Sequence, residues 1–490
     1  MDRRIRNPII VVVVVALAYP AAAWLLGLSV EHQWKEREQY ALTLIPYIAV
    51  VKHDYRRGVY SSTEEVTYGL GTSAVRSLRA AGQADWPDHV QFTLRNTIHH
   101  GPLPRLRTLA PATVDTEIIL PAEIRQKLAA TLGSEAGLTI HTRMKWFGGS
   151  TTTVHSAAFQ RDIPDGGALS WRGLDARVEL GREIGSQSVK LTAPGLSLKG
   201  PAANVSFENL ELNSDVHVAF DVLNVGTVRM TLGRVDIEEP GKDFKAAAQD
   251  LSLDTRSGAN GEYVDTDYSL RTGALQVGKF TTTRSDYELH LGHLNGPATA
   301  ALIRAIRAAQ TEAVVGQTRA EQTGKILEAF KTSGVEILLH DPVLQIPRAG
   351  FKTPDGEMLL SLNATLPGVT RADLDVASPL LTFTLLKHLR ASVDARIDTA
   401  LLDQLLDSTG KGDTITAQLQ GLQRQGYIKL DGKALTTHLA FQNSQLRVND
   451  LPFPPRPAPE GPTAPGGPAL PGGHAAPGMP GTHGQPRIPR

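Results

Sequence analysis

Residues 215–222 read Asp-Val-His-Val-Ala-Phe-Asp-Val, and their alternation indicates the fold class of the whole chain. Successive side chains of a β-strand point to opposite faces of the sheet, so this stretch predicts a strand with one apolar face. The apolar residues are Val216, Val218, Phe220 and Val222. The same alternation recurs at 205–212, 225–237, 263–275 and 287–291.

The connections between about 50 and 294 are short and rich in Gly, Pro, Asn and Asp, with turns expected at Ser257-Gly258 and Asn260-Gly261. Parallel strands need crossovers of about a dozen residues or more, so this spacing favours antiparallel meanders. We therefore expect a mainly β protein with some α (α+β): an extended antiparallel β-sheet body with a few helices.

Helical periodicity is confined to a few stretches. They are 121–132, 297–333, 380–406 and 413–424. Strands are expected again at 335–346 and 357–366, and Asp431-Gly432 predicts a hairpin turn within 427–448.

The N-terminal segment has the composition of a membrane anchor. Three arginines, at positions 3, 4 and 6, precede an uncharged stretch from Ile9 through Val15 and Trp24 to Val30. As a helix it would be about 33 Å long, enough to cross a hydrocarbon core of ~30 Å. The positive-inside rule then places the N-terminus in the cytoplasm and the body outside. A cleaved signal peptide is the alternative, because the alanines at 21–23 resemble a cleavage site; both interpretations export the body.

The chain divides into four segments by composition. A cytoplasmic stub and transmembrane anchor occupy 1–30, and a β-rich region that opens with a short helix occupies 31–296. A helix-containing region, 297–451, continues the same body. The tail, 452–490, holds 13 prolines and few large apolar residues, so it is expected to be disordered.

Composition excludes several classes of site. Fifty Lys and Arg balance fifty Asp and Glu, which speaks against a nucleic-acid partner. The chain has no cysteine, so disulfides, thiolate metal sites and a cysteine nucleophile are excluded. No cofactor is expected.

Several short motifs, in their order along the chain, carry a family resemblance. They are Tyr-Arg-Arg-Gly-Val-Tyr-Ser-Ser at 55–62, His-His-Gly-Pro-Leu-Pro at 99–104, Gly-Tyr-Ile at 426–428 and Val-Asn at 448–449. Together with the N-terminal anchor, the chain resembles the YdgA family of bacterial envelope proteins, defined by a domain of unknown function. The matching residues include Arg57, Gly58, Ser61, Ser62, His100, Gly101 and Pro102. The resemblance implies anchoring in the inner membrane with a periplasmic body, and it brings no catalytic residues.

Four residue pairs were weighed as reactive or metal sites, and each has a simpler structural interpretation. His99 and His100 point to opposite faces of an extended chain, as do His290 and His293 in a strand context, so neither pair forms an obvious metal site. Asp373 and Asp375 are expected on the wet face of a strand. Ser408 to Lys411 matches Ser-x-x-Lys without its companion motif. We therefore expect neither a metal site nor an enzyme.

The leading functional hypothesis is a non-enzymatic protein whose apolar sheet face forms a groove for a lipid or another amphipathic ligand, because the expected helices are too few to cover it. Val216, Val218, Phe220 and Val222 are the candidate lining. The alternative is an envelope scaffold or interaction module with a sealed core. A periplasmic hydrolase ranks third. Sequence does not decide the oligomeric state.

Overall fold

Antiparallel pairing joins 24 β-strands into one sheet in the computed structural model. The structure describes residues 19–20, 22–36, 38, 48–70, 91–126, 137–163, 167–183, 185–201, 203–312, 319–375, 378–409 and 412–453. The predicted mainly antiparallel β architecture with a few helices is confirmed. The predicted tail lies outside the described residues.

The strands are β1 Ile48–Arg57, β2 Ser61–Leu70, β3 Gln91–His100, β4 Ala112–Ile119, β5 Leu138–Met144, β6 Ser150–Ser156, β7 Phe159–Ile163, β8 Gly167–Trp171, β9 Leu174–Leu180, β10 Gln187–Lys199, β11 Asn204–Ala219, β12 Leu223–Glu239, β13 Phe244–Asn260, β14 Tyr263–Thr272, β15 Leu275–Val277, β16 Phe280–Thr282, β17 Arg284–Asn295, β18 Val343–Thr353, β19 Gly356–Thr365, β20 Arg390–Asp398, β21 Lys429–Asp431, β22 Ala434–Gln442, β23 Gln445–Val448 and β24 Leu451–Phe453.

The helices of the described residues are α1 at 22–36, α2 at 122–126, α3 Gly296–Glu312, α4 Arg319–Ala329, α5 Val335–Leu338, α6 Arg371–Leu374, α7 Ser378–His388, α8 Thr399–Thr409 and α9 Gly412–Arg424. A π-helical turn, Phe330–Gly334, joins α4 to α5. Single 3₁₀ turns lie at Pro104–Leu106 and Pro240–Lys242.

Most strands pair with the strand that precedes them in the chain. The order across the sheet is β1-β2-β3-β4-β5-β6-β9-β10-β11-β12-β13-β14-β17-β18-β19-β20-β22-β23-β24. The short strands β8, β15 and β21 pair with β10, β13 and β22 beside this main order. The sheet therefore continues from β17 to β18, across the composition change near residue 296.

The helix α1 packs on the sheet, which corrects the predicted anchor boundary at Val30. Val30 is 1% exposed and lies in a core cluster with Ile98 and Val114, whereas Trp24 lies on the outer side of the helix. The helical repeat places Ala23, Val30 and Trp34 on one face, and that repeat runs through the expected boundary. Within the part of the chain that the structure describes, no helix is long and apolar enough to cross a membrane.

Two other residues of the predicted anchor, Ile9 and Val15, lie outside the described residues. The helix α1 also occupies the place of the short helix predicted to open the region 31–296, so one helix crosses the border between two expected elements. The buried face of the helix therefore extends beyond the boundary that hydropathy predicted.

The predicted strand through 215–222 is wrong in its second half. Phe220 and Asp221 have φ of 50° and 68°, and residues 220–222 form the turn between β11 and β12. Left-handed backbone is uncommon outside glycine, so alternation alone gave no sign of a turn here. Of the predicted apolar residues, Val216 and Val218 lie in β11, whereas Phe220 and Val222 lie in the turn.

Three smaller expectations also need correction. The predicted helix at 380–406 is interrupted by β20, whose alternating sequence pairs with β19 and β22. The predicted strand at 335–346 begins as α5, and β18 starts only at Val343. Ser257-Gly258 lies inside β13 instead of forming a turn, while the turn at Asn260-Gly261 is confirmed.

Gly226 shows how closely β11 and β12 approach. Its φ is +136°, and a Cβ there would lie 2.8 Å from the Cα of Val216 and against the carbonyl oxygen of Asp215. A side chain would require the two strands to separate. Glycine alone accepts both the close approach and the backbone angle.

We expect Gly226→Ala to destabilise the protein by about 1–3 kcal/mol, because both strain and a backbone clash arise. The shift in the urea unfolding midpoint measures this change. Gly258→Ala is the matched control: it lies in β13, and nothing is within 4 Å of its Cβ position. Equal midpoints for the two variants would contradict the assigned strain.

Candidate functional site

One face of the sheet carries an unbroken row of apolar side chains that crosses the strands. Directly paired residues of antiparallel strands lie on the same face, so the register defines this row. We call it the apolar row: Ile140, Val154, Ala176, Leu191, Leu212, Met230, Leu253, Leu270, Tyr287, Ala349, Leu360 and Ala395. The apolar row contains one residue from each strand of the main order between β5 and β20.

The middle of the apolar row is open to solvent, and the rest of it is half-buried. Met230, Leu270 and Tyr287 are 37%, 39% and 43% exposed. Their neighbours on the same face include Tyr268 and Leu344, which are exposed to a similar extent. Exposed apolar side chains that adjoin one another over several strands mark a binding surface more often than scattered single ones do.

The opposite face is polar and ion-paired. Arg229 Nε lies 2.5 Å from Asp254 Oδ1, and Arg271 Nη2 lies 3.0 Å from Glu288 Oε1. A concavity of about 850 Å³ on this face is lined by Arg229, Asp254 and Arg271 together with Lys190 and other, mostly polar, side chains. The two faces of the sheet therefore differ sharply in polarity, as a half-buried sheet requires.

The register continues the apolar row into a buried polar network at β2–β4. Ile140 pairs with Thr116, Thr116 with Asn96, and Asn96 with Glu64. Glu64 is fully buried. Its Oε2 accepts hydrogen bonds from Trp34 Nε1 at 2.6 Å and from Asn96 Nδ2 at 2.8 Å, and its Oε1 lies 3.0 Å from His53 Nε2.

This network fixes α1 on the same face as the apolar row. Trp34 belongs to α1 and Glu64 to β2, so the bond between them joins helix and sheet. Arg57 Nε donates to Glu31 Oε2 at 3.0 Å, and Lys35 Nζ lies 5.3 Å from the centre of the Tyr55 ring. Buried charge-assisted hydrogen bonds are the stronger kind, so the Glu64 contacts dominate over the exposed ones.

His100 anchors the beginning of α1. It is 2% exposed; its Nδ1 lies 2.9 Å from the carbonyl oxygen of Ala23, and its Nε2 lies 3.2 Å from Ser62 Oγ. Since a carbonyl only accepts, Nδ1 carries the proton, and in the neutral ring Nε2 accepts from Ser62. A Cβ on Gly27 would lie 2.9 Å from the imidazole, so the ring packs directly on the helix backbone.

The motif residues singled out in the sequence gather around this end of α1. Gly101 has φ of +131° and adjoins Ala23, and the Tyr19 hydroxyl donates to the Leu103 carbonyl at 2.8 Å. The remaining motif residues lie nearby. Gly58 donates to the Ser61 carbonyl at 2.8 Å in the β1–β2 turn, and Pro102 follows Gly101 in the β3–β4 loop.

Glu38, His53 and Glu64 are the described residues whose donor atoms could hold a metal ion. Their ligand atoms lie within 4.8 Å of one another, and carboxylate with imidazole is a donor set that suits zinc. The same atoms are already hydrogen-bonded, since the Tyr68 hydroxyl donates to Glu38 at 2.6 Å. Burial raises the pKa of Tyr68, and the bond to the Glu38 carboxylate adds to this effect.

The helix α3 covers a second part of the apolar-row face. Val264 shares its face with Leu270 by alternation, and it packs in a core cluster with Ala300 of α3. Phe220 and Val222 pack against this cluster, and the Phe220 ring lies on Gly296. The predicted groove lining therefore lies beneath a helix in its second half, whereas the exposed apolar side chains lie farther along the strands.

The other candidate pairs from the sequence do not converge. His290 Nδ1 lies 2.8 Å from Asp267 Oδ1, whereas His293 stacks on Tyr263. His99 is nearest to Asp115, on the other side of the strand from His100.

Asp373 and Asp375 do not lie on a strand, which corrects that expectation. Asp373 completes the capping box of α6 with Thr370. Ser408 lies in the last turn of α8, and Lys411 lies outside the described residues.

Sequence reasoning missed Glu64, Asn96 and Trp34. The signal was present in β2, where Ser62, Glu64 and Val66 stand at alternate positions and so share one face. A carboxylate within an apolar-facing series is unusual and indicates a buried, paired group.

We expect Glu64→Ala to destabilise the protein by about 3–5 kcal/mol, because it leaves the buried Asn96 amide and the half-buried Trp34 indole without their acceptor. Urea unfolding measures the loss, and trypsin cleavage at Lys35 should accelerate as α1 loosens. Glu65→Ala is the control, because its carboxylate pairs with Arg95 at the surface, where ion pairs contribute about 1 kcal/mol or less. Similar losses in both variants would exclude the assigned role of Glu64.

His100 should make the protein less stable in acid. Burial lowers the pKa of His100 below its ordinary value of 6.5, and Arg57 lowers it further, whereas the bond to Ala23 opposes them. The unfolded chain therefore takes up this proton first, so stability is complete above about pH 6.5 and falls below it. The urea midpoint should drop between pH 7.5 and 5.5, and by less in His100→Asn. The exposed His217→Asn should leave the drop unchanged.

Comparison with known proteins finds one family that covers nearly the whole chain. A family model described as bacterial protein of unknown function (DUF945) matches residues 8–456. Protein YdgA of Escherichia coli (strain K12) is 21% identical over 479 residues, which cover 90% of this chain and 92% of that protein. No solved structure matches the chain. Because the family model spans α1, the apolar row and the sheet to its last strand, the chain belongs to the DUF945 family of bacterial proteins.

Proposed function

We propose that this protein binds the acyl chains of lipids along the apolar row, without catalysing a reaction. The observation that carries the proposal is the continuity of the row over the strands from β5 to β20. At about 4.8 Å between strands, the row is about 50 Å long. That exceeds the ~30 Å hydrocarbon core of a bilayer, so the row offers room for more than one acyl chain.

The chemistry of the apolar row favours an acyl chain over a polar ligand. Within the row, no carboxylate, imidazole, amine or guanidinium interrupts the apolar side chains. It is flanked by further apolar pairs, such as Leu210 with Leu232 and Leu232 with Leu251. A hydrolase needs convergent acid, base or nucleophile groups, and the exposed part of this face supplies none of them among the described residues.

The helix α1 limits where a lipid can reach the apolar face. The helix covers the face over β1–β4, and the exposed part of the face begins beyond it. We place the protein at the bacterial inner membrane with its body in the periplasm, supported by the arginines and the apolar residues that precede α1. Lipid entering the apolar row would then come from the membrane to which the chain is attached.

Site-specific photocrosslinking of the full chain in its native membrane tests this function. Benzoylphenylalanine at Met230 should give adducts whose mass is that of a phospholipid. The control position is Asn213, which lies on the opposite face of the adjoining strand beside Arg229. Lipid adducts at Met230 and Leu270 but not at Asn213 would support the proposal.

The same experiment separates the rival function. Adducts to a protein at Met230, with no lipid adduct at any position, would favour an interaction module. A charge at the site provides a second measurement: Met230→Asp should reduce lipid adducts at Leu270, while Asn213→Asp should not. Absence of lipid adducts at Met230, Leu270 and Tyr287 would reject lipid binding.

A further inference from the structure

Four connections lie at one end of the first strands. In an antiparallel meander, alternate turns lie at the same end of the sheet. The register places the β1–β2 turn, the β3–β4 loop, the β5–β6 turn and the β9–β10 turn side by side. Two contacts confirm this neighbourhood: His100 N donates to the Tyr60 carbonyl at 3.0 Å, and a Cβ on Gly148 would lie 3.1 Å from Arg182 Cγ.

These four connections expose large apolar side chains. Phe147 is 85% exposed, and Leu106 and Leu109 are each 75% exposed. We call the set of Val59, Tyr60, Leu106, Leu109, Trp146 and Phe147 the apolar tips. Leu106 is held outward by a left-handed backbone, with φ of 58°.

Later connections at the same end are different. In the β11–β12 turn, Phe220 is covered by α3. The β13–β14 turn consists of Gly261 and Glu262, which are exposed and lack a large apolar side chain. Among the short turns at this end, those with exposed large apolar side chains therefore belong to the part of the sheet where α1 docks. The long helical connections after β17 and β19 also expose Leu327, Phe330 and Phe383.

Basic side chains outnumber acidic ones in the connections that carry the apolar tips, although Arg105 and Lys145 are ion-paired with Asp115 and Glu179. The β3–β4 loop contributes Arg105 and Arg107, the β5–β6 turn Lys145, and the β9–β10 turn Arg182. Glu183 is the acidic residue among the described parts of these connections. Basic side chains among exposed aromatic and aliphatic ones suit the interface of a membrane with anionic headgroups.

The path of the chain leads to the same end. Tyr19 stacks on Tyr60 with ring centres 6.1 Å apart, so α1 begins beside the apolar tips. Residues 8–18, which precede it, read Pro-Ile-Ile-Val-Val-Val-Val-Val-Ala-Leu-Ala. An apolar stretch thus joins the body at the end that exposes apolar side chains.

We propose that the apolar tips insert into the interface of an anionic lipid bilayer and form a second membrane contact besides the N-terminal stretch. Lengths support this contact. As a helix, residues 9–21 would rise about 20 Å, which is about 10 Å short of a ~30 Å core. Interfacial apolar side chains enter a bilayer by ~5–10 Å, so insertion of the tips makes up the difference. This contact goes beyond the proposed function, because it holds whether or not the apolar row binds lipid.

The absence of cysteine in the chain allows a direct test on the full-length protein. Single cysteines at Phe147, Leu109 and Lys242 are each labelled with a nitrobenzoxadiazole fluorophore. Each protein is placed in nanodiscs of phosphatidylethanolamine and phosphatidylglycerol, with and without doxyl-labelled acyl chains. Lys242 is the control, because its turn lies at the opposite end of the strands.

We expect doxyl lipid to quench the fluorophore severalfold more at 147 and 109 than at 242. Equal quenching at all three positions would overturn the proposal. Replacing phosphatidylglycerol by phosphatidylcholine should weaken quenching at 147, and unchanged quenching would overturn the anionic part. Photocrosslinking at Met230 is independent of this result, so failure of either proposal is distinguishable from failure of the other.

Discussion

A sheet that is apolar on one face must cover that face, and this constraint organises the molecule. Burial of apolar surface contributes roughly 25 cal/mol per Å², so the docked helices α1 and α3 stabilise the parts they cover. On other strands the same face continues without a described helix above it. Structure and proposed function thus have one physical origin: the sheet has more apolar face than the described helices cover.

The end of the apolar face beneath α1 is specified by hydrogen bonds as well as by packing. Glu64 accepts from a helix residue and from a strand residue, so its carboxylate holds the two elements in one register. Polar networks in a buried place fix an arrangement because any shift leaves partners unsatisfied. His100 also joins helix and sheet, because its Nδ1 donates a hydrogen bond to the Ala23 carbonyl near the start of α1. Among the motif residues that carry the family resemblance, Arg57, His100 and Gly101 contact α1 directly and so position the helix.

The sequence allowed the sheet, its antiparallel order and the helices near 297–333 and 413–424 to be predicted, because their periodicities are long and regular. The turn at Phe220 could not be predicted from the sequence, because the left-handed backbone there is imposed by the β11–β12 register and by packing on Gly296. From hydropathy, the N-terminal segment was predicted to end at Val30. In the structure, the face of α1 that packs on the sheet continues to Trp34. The candidate site was the least predictable part, because the apolar row exists only once the strands are in register.

The near-sequential pairing of the strands also bears on how the molecule is made. Most long strands pair with the strand that precedes them, so loop-closure entropy stays small at most additions, and the helical connection 296–342 between β17 and β18 is the main exception. The sheet can grow from its first hairpin in the same direction as synthesis, with α1 already available to cover the earliest strands. An unfinished chain would then always present one open edge, the most recently added strand, and that edge is where a nascent molecule is most exposed to mispairing with another copy.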